Sequence, residues 1–198
     1  MAIEAGDGAL MDSSRVTGVL ISFEGLDGSG KSTQLELLAE ELRGVGLDVV
    51  TTREPGGTRV GEAVRAVLLS PAHTEMAPRA EALLYAAARA QLVEEVVRPA
   101  LARGAVVLTD RYLDSSIAYQ GFGRGLPLAD IDRLNALAIG GLTVDRTLVL
   151  DIEPGLGIAR ATSLATDRLE AEDIAFHRRV REGFLAIAEK EPRRVRLV

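Results

Sequence analysis

Cysteine is absent from this chain of 198 residues, lysine occurs only as Lys31 and Lys190, and histidine only as His73 and His177. Each shortage closes off a class of function. Without cysteine there is no disulfide framework, no thiolate nucleophile and no cysteine-held zinc or iron. The two histidines lie far apart and lack metal-ligand spacing. No apolar stretch reaches the length of a membrane span, and residues 1–15 lack the basic start and apolar core of a signal peptide, so the cytoplasm is the expected location. A formal net charge of -6 argues against a protein that coats nucleic acid, which needs a broad basic face. Small anionic substrates remain open to it, because a few arginines converging in a cleft set the local potential.

What is present reads as a globular chain, 47% hydrophobic and 26% charged. Residues 1–15 show no periodicity and are expected to form a flexible leader, with 16–198 as one domain. Continuous Val- and Leu-rich runs at 16–23, 47–52, 105–109, 148–152 and 194–198 read as strands. Between them lie helical patterns, including 32–43, 58–69 and a long alanine-rich one that starts at Pro78 and runs to about Gly104, with Pro99 expected to kink it or end its regular part. Alternating helices and near-continuous apolar strands imply an α/β fold, a mostly parallel five-stranded sheet covered on both faces. Such sheets bind ligands beyond the carboxyl ends of their strands.

At the end of the first strand stands Gly25-Leu26-Asp27-Gly28-Ser29-Gly30-Lys31-Ser32, a complete phosphate-binding loop followed by a helix. Backbone amides and the positive end of the helix dipole converge there on one point, Lys31 is set to reach the β and γ phosphates of ATP, and Ser32 to ligate Mg²⁺. The guanine-reading Asn-Lys-x-Asp is missing around both lysines, which argues against a GTPase.

Three stretches narrow the reading further. Residues 23–33, the run Thr52-Arg53-Glu54-Pro55-Gly56-Gly57-Thr58, and Asp110-Arg111-Tyr112 through Ser115-Ser116-Ile117-Ala118-Tyr119-Gln120-Gly121 together resemble the thymidylate kinase family, with the same order and spacing. The resemblance implies a three-layer P-loop kinase fold with a small mobile lid at about 157–170, usually assembled as a homodimer. It also implies transfer of the γ-phosphoryl of Mg·ATP to dTMP, giving dTDP and ADP. Because the acceptor is already an anion, such a site needs positioning and charge stabilisation more than a strong base.

The same resemblance assigns roles by position. Gly25 through Thr33 hold ATP's phosphates. Arg111 grips the dTMP phosphate, with Arg65 as a second arginine on that side, and Asp110 stands near the metal with Ser32. Asp27 meets the sugar 3′-hydroxyl. Tyr85 and Arg89, four apart on one helix face, stack on thymine and bond its edge. Glu54 joins the acceptor site, and Ser116, Tyr119 and Gln120 form a wall that crowds the 2′ carbon and selects deoxyribose. Gly28-Ser29, with no arginine in the loop, matches the bacterial subtype, in which lid arginines take that role; Arg160 and Arg168 are the candidates here. The competing readings are another nucleoside monophosphate kinase acting on UMP or CMP, and a catalytically weakened nucleotide-binding protein.

Overall fold

The structure is a computed structural model that describes residues 18–161 and 167–198. The expected leader and the start of the first strand fall outside those residues, as does the middle of the expected lid.

Five parallel strands form one sheet in the order β2-β3-β1-β4-β5: β1 (Val19–Glu24), β2 (Val49–Arg53), β3 (Val106–Asp110), β4 (Arg146–Val149) and β5 (Val195–Leu197). Alternation along the strands sends neighbouring side chains to opposite faces. Ile21, Phe23, Val106 and Leu108 pack with Leu35 and Ala39 of α1 (Lys31–Gly44), whereas Leu20 and Val107 pack with Leu92, Val97 and Leu101 on the other side. A third apolar cluster joins Leu26, Tyr119 and Val149 to Phe176, Val180 and Phe184 of α8 (Ile174–Lys190).

The remaining helices are α2 (Arg59–Leu69), α3 (Pro78–Leu92), α4 (Arg98–Ala102), α5 (Leu113–Ser116), α6 (Leu128–Ile139) and α7 (Pro154–Ala161). Between α3 and α4 the chain passes through a π-helical turn, Val93–Val97, in which Arg98 N bonds back to Val93 O. Proline lacks an N–H, so Pro99 can contribute no helical bond of its own. The regular part of the long helix accordingly stops before it. A second π-helical turn, Ile117–Gly123, continues α5 and carries Tyr119 and Gln120.

Strand register aligns the functional edge. Phe23 on β1 and Arg53 on β2 both pair with Asp110 on β3. The glycine-rich loop, Glu54 and Arg111 therefore leave the sheet side by side.

Candidate active site

The loop after β1 is shaped by its glycines. Gly28 has φ +74°, and a Cβ there would strike the carbonyl of Gly157 on α7 and lie 3.0 Å from Arg160 Cβ. No larger residue fits, because the loop rests directly on that helix. Gly30 (φ 92°) precedes α1 and offers no side-chain cap, in contrast to Thr58 and Asp173, which cap α2 and α8. The first N–H groups of α1 are thus left for an anion. Inside the loop, Leu26 O accepts from Ser29 N at 3.3 Å and from Lys31 Nζ at 2.8 Å. Burial and the neighbouring Arg111 lower the Lys31 amine to about 8, against the opposing pull of Asp27, Asp110 and Glu24.

Arg111 stands at the centre. It is the one non-glycine residue with positive φ among the described residues, at 70°, a backbone state that costs energy and is held by its surroundings. Its N–H donates to Phe23 O at 2.9 Å, and Thr109 Oγ1 donates to its carbonyl at 2.8 Å. The guanidinium donates to Gly25 O (3.0 Å), Ser115 Oγ (3.1 Å), Asp27 Oδ1 (2.6 Å) and Tyr119 OH (3.1 Å). Tyr119 OH in turn donates to Asp27 Oδ2 at 3.2 Å. Burial alone would push the Asp27 carboxyl up, but Arg111 and Lys31 hold it well below the usual carboxylate range.

Beneath this group Glu24 is fully buried, accepting from Tyr112 N (2.8 Å) and from Ser115 Oγ (2.6 Å). Burial, with Asp114 nearby, pushes its carboxyl up to about 8. Glu24 braces the segment that follows Arg111, although no role was expected for it from sequence.

Two clefts meet at these residues. One, of about 1150 Å³, is bordered by Lys31, Ser32, Thr33, Asp110, Arg111 and Arg160. The other, of about 520 Å³, is bordered by Tyr85, Arg89, Ser116, Tyr119 and Gln120. Asp27, Glu54, Arg65 and Arg111 line both. Arg65 reaches across from α2 to donate to Pro55 O at 2.9 Å. In the smaller cleft Arg89 is 1% exposed and tied to Glu54 by three bonds of 2.6 to 3.0 Å. It also reaches Tyr112 O and Ser116 Oγ through Nη2, and Asn135 Oδ1 through Nη1 at 2.6 Å. Burial raises the Glu54 carboxyl and Arg89 opposes the rise. Arg89 is thereby a fixed edge of the cleft, with Nη1 the least committed of its nitrogens.

A Mg²⁺ site can be tested on Ser32 and Asp110. Ser32 Oγ donates to Asp110 Oδ2 at 2.5 Å, so one hydroxyl and one carboxylate already converge beside the loop. Among the described residues no group of three or more His, Cys, Asp and Glu is placed to hold a metal by itself. A donor pair of this kind fits Mg²⁺, which takes one or two protein oxygens and completes its shell with water and substrate phosphates.

Arg168, the other lid candidate, is 8% exposed, donates to Leu68 O and pairs with Glu81, and it is not among the residues that border the phosphate-side cleft. Arg160 borders that cleft.

The chain as a whole is similar to known proteins. The sequence profile of the family described as thymidylate kinase covers residues 23–198. The chain belongs to that family. It is 54% identical over 181 residues to the thymidylate kinase of an Exiguobacterium species, spanning 91% of this chain and 85% of that protein. The Deinococcus radiodurans thymidylate kinase is 54% identical over 178 residues, spanning 89% and 86%. Among solved structures, the thymidylate kinase of Ehrlichia chaffeensis superposes with a TM-score of 0.78 at 37% identity, covering 91% of this chain and 92% of that one. The family's three stretches fall on one rim of the sheet, around Arg111.

Proposed function

We propose that this chain transfers the γ-phosphoryl of Mg·ATP to dTMP, giving dTDP and ADP, as one catalytic domain over 16–198 working in the cytoplasm. The observation that carries the reading is the pair of clefts sharing Arg111, Arg65 and Asp27. A donor phosphate seated on the loop and an acceptor phosphate seated in the second cleft would meet at that shared wall.

Lys31 and the uncapped end of α1 bind the β and γ phosphates. Lys31 must exchange its bond to Leu26 O for a phosphate oxygen. Arg111 and Arg65 bring the acceptor phosphate into line and offset repulsion between the two anions, the main barrier in this chemistry. Asp27, braced by Arg111 and Tyr119, accepts from the sugar 3′-hydroxyl. Tyr85 stacks on the base, and Arg89, locked by Glu54 and Asn135, turns Nη1 to its carbonyl edge. Ser116, Tyr119 and Gln120 close the wall at the 2′ carbon, leaving an extra hydroxyl unaccommodated at a cost of about 1 to 3 kcal/mol. Ser32 and Asp110 would hold Mg²⁺, which supplies charge neutralisation on the transferring phosphates. Arg160 supplies the cation on the opposite side.

A homodimer fits the outer helix layer. α3 packs against both α2 and α6, and the three helices expose Val60, Val67, Leu83 and Leu137. Among the described residues, no helix is long and apolar enough to cross a membrane.

The deciding experiment is ADP release with Mg·ATP and dTMP, dUMP, UMP, CMP, AMP or GMP offered separately. Strong preference for dTMP is the expected result. Equal use of UMP and dTMP would overturn the assigned acceptor.

A further inference from the structure

Glu81 is a fully buried carboxylate that the phosphoryl-transfer steps do not use, one helical turn before Tyr85 on α3. Side chains from two distant parts of the chain, the second π-helical turn and Arg168, meet on it. Gln120 Nε2, from the cleft wall, donates to Oε1 at 2.9 Å. Arg124, at the end of the second π-helical turn, donates through Nε to Oε1 at 3.2 Å and through Nη2 to Oε2 at 3.0 Å. Arg168 Nη2 lies 2.7 Å from Oε2, an ion pair outside hydrogen-bond alignment. Glu172 balances the second arginine through Arg124 Nη1 at 2.5 Å. Burial would push the Glu81 carboxyl up, yet Arg124, Gln120 and Arg168 together hold it below its ordinary range.

Arg168 is tied at two further points. Its Nε donates to Leu68 O at 2.9 Å and its backbone N to Leu69 O at 3.2 Å. Its sequence neighbours, Asp167 and Leu169, line the acceptor cleft together with Leu69. Asp167 Oδ1 accepts from Leu169 N (2.8 Å) and Glu170 N (2.9 Å), so the three residues form one compact turn. Where Arg168 is fastened, that turn is fastened, and with it one side of the cleft.

We propose that Arg168 and Glu81 are positioning residues that hold the 167–169 turn against Tyr85 and Gln120, and so set affinity and base selectivity for the acceptor nucleotide. The inference deepens the dTMP-kinase reading and rests on it. A cation serving the transferring phosphoryl would have to stand in the phosphate-side cleft, and Arg168 does not border it.

The test uses Arg168→Met in the full chain. Methionine keeps an unbranched apolar stem and removes both the ion pair and the bond to Leu68 O, while Arg124 and Gln120 remain on Glu81. Wild-type turnover is measured first, since absence of dTMP turnover there defeats the functional reading independently of the clamp. The expected result is a rise in KM for dTMP of about tenfold or more and a narrower dTMP-to-dUMP preference, with kcat and KM for ATP within about threefold, the signature of lost acceptor binding. Arg168→Lys, which keeps the charge near Glu81, should shift KM the same way by a smaller factor, and it carries the test if the methionine variant does not fold. A kcat loss of about a hundredfold with unchanged dTMP KM would overturn the proposal in favour of a transition-state cation. A lower Tm with dTMP KM and selectivity unchanged would also overturn it, leaving only a structural tie.

Discussion

Lys31 and Glu24 illustrate how much a single buried titratable group can decide. Lys31 serves the donor phosphates and borders the phosphate-side cleft only, so its loss should separate chemistry from acceptor binding. Lys31→Ala is expected to lower kcat by about a hundredfold or more, the scale for removing one preorganised charge. Calorimetric dTMP affinity should stay within about threefold of wild type. Glu24 acts on stability. Its carboxyl is raised in the folded state from 4.5 to about 8, so the folded protein holds a proton that the unfolded chain releases. Stability from this group is fully present below pH 4.5 and is lost as the pH climbs through about 8. Glu24→Gln removes the titration, and thermal melts between pH 5 and 9 should show a flatter decline towards alkaline pH than wild type. An unchanged slope would mean that Glu24 does not titrate there.

Between elements, polar side chains buried in the sheet explain both stability and what could be read in advance. Thr147, in the middle of β4, bonds Ser22 on β1 at 2.8 Å and Asp114 on α5 at 2.9 Å. Arg194, just before β5, grips both oxygens of Asp114 at 2.7 and 2.8 Å. One buried carboxylate thus ties α5, β4 and the approach to β5. Asp114→Asn breaks a buried charge pair and is expected to cost about 3 to 5 kcal/mol, read as a Tm fall of about 10 °C in a chain this size. The network also accounts for a boundary. Strand β4 was expected at 148–152 because only the apolar run is visible in sequence, yet it begins at the polar pair Arg146-Thr147, which the strand accommodates because Thr147 finds partners inside. Strands β1 and β3 and the glycine-rich loop were legible because parallel strands buried on both faces leave continuous apolar runs and the loop chemistry is local. Asn135 behind Arg89, and Glu81 behind Arg124 and Arg168, were not legible. Their partners lie far away along the chain, and a charged residue on an amphipathic helix looks the same whether it faces water or a buried mate.

At the scale of the molecule, α3 and its neighbour α6 expose Leu83 and Leu137, at 56% and 82%. If two copies meet there, Leu83→Glu should shift sedimentation from dimer to monomer at micromolar concentration, and a wild-type chain that sediments as a monomer would remove this interface. Arg111 leans on Asp27, Arg89 on Glu54, and Lys31 stands 3.9 Å from Asp27. The site therefore carries its own counter-ions, built in as side chains. Because the positive groups are already balanced within the chain, an incoming phosphate expels few ions from solution, and the affinity for dTMP should fall only shallowly as salt is raised, unlike that of a bare basic cleft.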